Sequence, residues 1–233
     1  MTALIDFADE RTTIVTVNRR LARGLLTEHG ERAVADGQGA WRTPDILPYA
    51  AFVRRAWRDY RVAADSPQAV LLSDAQERLT WESVIRAALI PSGVEGEFSA
   101  VIAARQVQVA FSLLNAWHID VDDGDFGRNE DSRAFRSWTR AFVQHCADGH
   151  WIDAGRAANV LVSGKDFLAD TCGERIVFAG FDVLTAQQRK LIDAFRAAGV
   201  EVVVAKAQGS RGVAQRYTFE DTTSELTTSC TAW

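Results

Sequence analysis

The sequence predicts an α/β protein whose parallel sheet is interrupted by a large helical insertion. Three observations carry that prediction. The segment Thr12–Leu26, TTIVTVNRRLARGLL, reads as a buried strand turning straight into a helix, an architecture shared with nucleotide-binding folds. Between Arg175 and Ala205 a strand, a helix and a second strand follow within about thirty residues, the grammar of a right-handed βαβ unit. The stretch between them, residues 71–170, reads as helical throughout, so the core is assigned to residues 1–70 and 171–233.

Taken in order, the first unit is strand Thr12–Val17 and a helix from Arg19 to Ala35, with Leu21, Leu25 and Leu26 on its apolar face. Gly37, Gly39 and Pro44 break the pattern. A short extended piece, Asp45–Leu47, leads into a helix from Tyr49 that carries Phe52, Ala56 and Tyr60 on one stripe. Ser73 and Gln76 form a capping box before a helix whose apolar face is Trp81, Val84, Ile85 and Ala88; Pro91 and Gly93 end it. A further helix spans Phe98 to Trp117. Beyond the acidic loop Asp120–Asp131, Phe135, Trp138, Thr139, Phe142, Val143 and Cys146 repeat at helical spacing. Asp153 caps a short helix ending near Val162. Strand Arg175–Ala179, a helix opened by a Thr185–Gln188 capping box, Gly199 at its end and strand Val200–Ala205 complete the second α/β unit.

Composition excludes several classes. A chain of 233 residues with 47% hydrophobic and 24% charged residues is an ordinary globular protein. No apolar run approaches the ~20 residues of a membrane span. The N-terminus MTALIDFADE is acidic where a leader is basic and then apolar, so a cytoplasmic location without a membrane partner is expected. A net charge of -5 argues against coating nucleic acid through bulk charge and leaves local basic patches as the alternative. Cys146, Cys172 and Cys230 are odd in number and far apart, the pattern of reduced thiols.

The turn after the first strand decides the chemistry. A phosphate loop needs glycines for close backbone approach, a lysine for the outer phosphates and a hydroxyl for Mg²⁺. Val17-Asn18-Arg19-Arg20 supplies none of them. The strand ending at Ala179 runs into Gly180-Phe181-Asp182, where helicase-type ATPases carry adjacent carboxylates for Mg²⁺ and the attacking water. Asn18, Arg19, Arg20, Gly180, Phe181 and Asp182 therefore form a degenerate nucleotide site, with no catalytic residue assigned and no cofactor or metal expected. Asp182 reads as a local hydrogen-bonding group rather than a metal ligand. Val162-Ser163-Gly164-Lys165-Asp166 imitates the end of a phosphate loop, but Asp166 replaces the hydroxyl and a helical segment precedes it, so it reads as a surface turn. The acidic loop fails the register of a calcium site: with Gly124 at position 6, positions 1 and 3 fall on Ile119 and Val121. No nucleophile elbow or metal-ligand spacing involves the four histidines.

Arginines remain. Arg19 and Arg20 open a helix at the end of a parallel strand, where ligands dock in such sheets. Arg42, Arg54, Arg55 and Arg58 follow, with Trp41 and Trp57 among them. Arginines interleaved with aromatics suit single-stranded nucleic acid; a solvated helix face beside a tryptophan core is the other reading. The DNA-contact candidates are Arg19, Arg20, Arg42, Arg54, Arg55, Arg58 and Trp41.

The runs IVTVNRRLARGL, AWRTPDILPYAAFVRRAW, LLSDAQERLTWESVI, FRSWTRAFVQHCADGHWIDAGRAANVL and RIVFAGFDVLTAQQRKLIDAF resemble, in order, the N-terminal part of bacterial helicase–exonuclease B-type subunits. In particular they resemble predicted DNA-repair proteins described as inactivated superfamily I helicases. That resemblance implies a RecA-like (P-loop NTPase-like) motor domain with an inserted helical subdomain and lost ATPase residues. It implies a role in DNA repair and recombination, either binding DNA (single strands or duplex ends) or scaffolding a helicase or nuclease partner subunit. Longer members continue into a second helicase-like domain and a nuclease domain. The run Thr223-Ser224-Glu225-Leu226, then residues 227–233, reads as the start of the next linking helix, so a fragment, a truncated product and a separate small paralogue all stand as expectations. The alternatives are an ATP-dependent helicase or nucleotide hydrolase with a non-standard phosphate site, and a module that only docks protein partners.

Overall fold

A computed structural model describes residues 3–62, 68–89 and 97–205. The expected linking helix after residue 222, Cys230, and the Pro91/Gly93 stop lie outside the described residues. The α/β core holds β1 (Thr12–Thr16), α1 (Arg19–Ala35), β2 (Asp45–Pro48) and α2 (Tyr49–Tyr60). Between β3 (Val70–Leu71) and β4 (Trp151–Ile152) stand α3 (Asp74–Leu89), α4 (Glu97–Trp117) and α5 (Glu130–Asp148). The chain then forms α6 (Ala154–Leu161), α7 (Lys165–Leu168), β5 (Arg175–Ala179), α8 (Ala186–Ala197) and β6 (Glu201–Ala205).

The four-stranded sheet has the order β2-β1-β5-β6, and every pairing in it is parallel. Parallel sheets are covered on both faces, and the strands show it. All five residues of β1 are buried. Ile14, Val177 and Ala179 point to the face covered by α1 through Ala22 and Leu25. Val15, Ile176 and Phe178 point to the other face, against Phe52, Ala56 and Trp57 of α2 and Leu191, Ile192 and Phe195 of α8. The period of two along β1 and β5 thus sorts side chains into two cores.

The inserted helices have a core of their own. Trp81 of α3 stacks on Phe142 of α5 at 3.8 Å between ring centroids, and Phe111 of α4 meets both rings edge-on. Cys146 is fully buried beside them. The middle of the chain is not helical throughout, however. β3 and β4 pair in parallel, Val70 with Trp151 and Leu71 with Ile152, and tie together the two ends of the helical bundle. Strands of two residues are too short to carry a period, so they leave no pattern in the sequence. After β4, α6 lies against the sheet-side core, where Ile152, Ala157, Ala158 and Leu161 join the α2/α8 cluster. α6 therefore bridges the bundle and the sheet.

Candidate functional site

Right-handed crossovers explain where a site forms. The β1–α1–β2 unit moves outward from the sheet centre in one direction and β5–α8–β6 in the other, with α1 and α8 on opposite faces. The neighbouring ends of β1 and β5 are thus the point where strand order reverses, and ligands of open α/β sheets settle there. An open depression of about 750 Å³ occupies that place, lined by Val17, Asn18, Arg20, Leu21, Gly24, Gly180, Asp182 and Val183.

The sequence accounts for each part of its wall. Asn18 has extended backbone angles and caps α1: its Oδ1 accepts from the Leu21 N–H at 2.9 Å. Thr16 Oγ1 donates to the Asn18 carbonyl at 2.8 Å, fixing the turn from below. The Val17 N–H continues the ladder to the Ala179 carbonyl at 3.1 Å. One of the helix N-terminal donors open to a phosphate, the Leu21 N–H, is in this way met by the protein's own side chain. Across the depression Gly180 sits at φ +77, and its N–H donates to the Ala205 carbonyl at 2.9 Å. Glycine takes that conformation without strain and brings no carboxylate to the strand end. Phe181 turns inward, 4% exposed, edge-on to Tyr49 and near Phe178. Only Asp182 is left as an exposed carboxylate at the rim.

The structure separates the arginine candidates. Arg19 and Arg20 are exposed in the first turn of α1 and form no ion pair or hydrogen bond among the described residues. Arg23, absent from the candidates that the sequence suggests, stands exposed one turn on and is equally unpaired among the described residues. Spacing is the signal that marks it: it follows Arg19 by four and Arg20 by three, so all three share one side of the helix start. The other candidates lie elsewhere. Arg42 and Trp41 precede β2, and with Asp9, Glu10 and His29 they line a hollow of about 250 Å³ at the opposite end of the sheet. Arg42 pairs there with Glu10 at 3.4 Å. Arg55 is bound to Asp45 by two hydrogen bonds of 2.6 and 2.9 Å. Arg54 is held by Asp74 and the Leu72 carbonyl, and Arg58 by Asp59. Trp57 is buried and donates to the Ala69 carbonyl at 3.3 Å, so it is core. The seven candidates therefore do not share one surface; Arg19 and Arg20 stay together.

Other motifs resolve locally. Val162, Ser163 and Gly164 link α6 to α7, and Lys165 and Asp166 open α7, so the segment follows a helix, not a strand. In the acidic loop the Asp120 carboxylate accepts from the Asp122 N–H at 2.8 Å, and Asp122 takes Arg140. Among the described residues no group of three or more His, Cys, Asp or Glu is placed to hold a metal ion. No helix among them is long and apolar enough to cross a membrane. Burial pushes the Cys146 and Cys172 thiols up to about 11, so both stay protonated and unreactive near neutrality. No protein-family model and no curated protein matches the chain, and its function rests on the chemistry of the site itself.

Proposed function

We infer that this chain is a catalytically silent, helicase-like domain of a DNA repair or recombination system, touching the phosphate backbone of a DNA strand at the head of α1. The single observation that supports it is the reversal of chemistry at the strand switch point. The phosphate-gripping and metal-binding groups of an ATPase are missing from these two turns, while Arg19, Arg20 and Arg23 stand unpaired among the described residues at the head of α1. Cations at a helix N-terminus oppose the helix dipole, a cost of a few tenths to about 1 kcal/mol each. No acidic residue lies in that first turn to offset it. A polyanion crossing the helix start relieves this repulsion, and the overall charge of -5 disfavours binding through bulk charge.

Fluorescence anisotropy with a short single strand at low salt tests it. Binding is expected to weaken about tenfold in Arg19→Ala/Arg20→Ala. The log–log dependence of affinity on salt should also become shallower, by about 0.7 for every phosphate left without its arginine. No binding at tens of micromolar, or a double variant that binds like the parent, overturns the reading.

A second reading, a docking module for a helicase or nuclease subunit, has one observation in its favour. The outward face of α4 carries exposed Ile102, Val109 and Leu113 at i, i+7 and i+11, where a solvent-facing helix is ordinarily polar. Under that reading Val109→Asp leaves strand binding intact and abolishes co-purification with an ATPase subunit.

A further inference from the structure

Where the helical bundle meets α6, several charged and polar groups are shut away from water. Glu77, in the first turns of α3, is 4% exposed, and Asp153, the N-cap of α6, is 1% exposed. Asp153 accepts from the Arg156 N–H at 2.9 Å and also binds the Arg156 guanidinium. That guanidinium stands 6.0 and 5.9 Å from the ring centres of Phe111 and Phe142. Its Nη2 has no acceptor among the described residues, and the Trp81 indole N–H and Thr139 hydroxyl are likewise buried without a partner there.

Few other groups help to balance these charges. Asp74 precedes Glu77 in the first turn of α3, and Trp81 follows it by one turn and stacks on Phe142, the ring that the Arg156 guanidinium overlies. The Leu72 N–H donates to the Ile152 carbonyl at 2.9 Å, which sets the start of α3 beside the head of α6; the Gln108 amide of α4 and the charge of Asp153 act on Glu77 there. The Cys146 thiol of α5 lies within the field of Glu77, Asp153 and Arg156 alike. Asp74 is itself paired outward with Arg54 of α2. One guanidinium, already committed to Asp153, is the only cation in the dry cluster among the described residues. Two buried carboxylates cannot both ionise cheaply beside it.

We propose that Glu77, Asp153 and Arg156 form a proton-operated latch that holds the helical bundle against α6 and the sheet when Glu77 is protonated, and releases it when Glu77 ionises. Burial first, and then the charge of Asp153, push the Glu77 carboxyl up to about 7, against an opposing pull from Gln108. By linkage, a carboxyl raised from 4.5 on folding contributes stability that is complete below about pH 4.5 and is lost as pH rises through about 7. Ionisation puts a second negative charge into the cluster, and the least costly relief is water entering between the start of α3 and the head of α6. Those are also the segments that follow β3 and β4, the two ends of the bundle.

Hydrogen exchange of the full chain, corrected for intrinsic rates, tests the latch at about pH 6 and about pH 8. Amides of the α3 start and of α6 are expected to lose about tenfold in protection at the higher pH while β1 and β5 keep theirs. Glu77→Gln, which carries the neutral shape permanently, is expected to be protected equally at both. Asp153→Asn keeps the helix cap and removes the charge that opposes ionisation of Glu77, so its pH step is expected to shrink. Equal protection of the parent at both pH values overturns the latch, and so does a full pH step that survives in Glu77→Gln or in Asp153→Asn. A Glu77→Gln chain that fails to fold also overturns it, because that variant mimics the closed form.

Discussion

Asn18 occupies the position from which a phosphate loop would reach its ligand, and commits its side chain to the Leu21 N–H instead. Replacing a capping Asn with Ala costs about 1 kcal/mol. Asn18→Ala is therefore expected to lower the unfolding free energy by roughly that amount, read from urea denaturation, while leaving the arginines in place. Asn18→Asp keeps the cap and adds a negative charge at the helix start; it should hold stability and weaken strand binding. The pair separates the structural task of this residue from the electrostatics of its neighbours. Gly173 is a different case. A Cβ there would lie 1.9 Å from the Arg11 carbonyl oxygen, the same oxygen that accepts from the Arg175 N–H at 3.2 Å. Gly173→Ala must push β5 from β1 and is expected to cost about 2 kcal/mol or more, seen as the larger drop in the same unfolding series.

Among the elements, those with a full period or a cap were readable. α1, α2 and α8 start where Asn18, Pro48 and Thr185 stop the extended chain, and the Thr185–Gln188 box is present in both directions. Pairing between distant stretches is what the sequence does not display. Arg55 looks like part of a basic helix face until β2 is set beside β1, which brings Asp45 and Thr13 together and leaves Asp45 to take Arg55. Burial works to raise the Asp45 carboxyl, but the hydrogen bonds from Arg55 and Thr13 and the charge of Arg55 outweigh it and hold it below the usual carboxylate range. The sign here is opposite to that at Glu77. The contribution of Asp45 is present above about pH 4 and is lost as pH falls through its lowered value. Arg55→Ala is expected to cost about 1 kcal/mol at neutral pH, because the pair is bidentate yet partly open to water. The loss should shrink toward zero as unfolding curves are taken at pH values progressively below the usual carboxylate range.

At the scale of the whole molecule, the strand order is what no single stretch of sequence contains. The turns at Asn18 and Gly180 both read as lacking the usual phosphate-loop and metal-binding residues, yet only the β2-β1-β5-β6 order makes them two walls of one depression. The parallel run of β1 and β2 puts Arg42 and Trp41, which precede β2, at the far end of the sheet from Arg19 and Arg20, which follow β1, so these basic residues lie on separate surfaces. The depression thereby sets nucleotide against strand in a way that melting can read. A ligand that binds only the folded state stabilises it by RT ln(1 + [L]/Kd), about 2.7 kcal/mol at a hundredfold excess over Kd, or several degrees of melting temperature for a domain of this size. With Asn18 capping its own helix, Mg-ATP at about 1 mM should leave the melting temperature unchanged, whereas a short single strand should raise it in a salt-sensitive way. An ATP-dependent rise that Arg20→Ala removes would return the depression to a nucleotide, and the silent-domain proposal would give way to that of an unusual hydrolase.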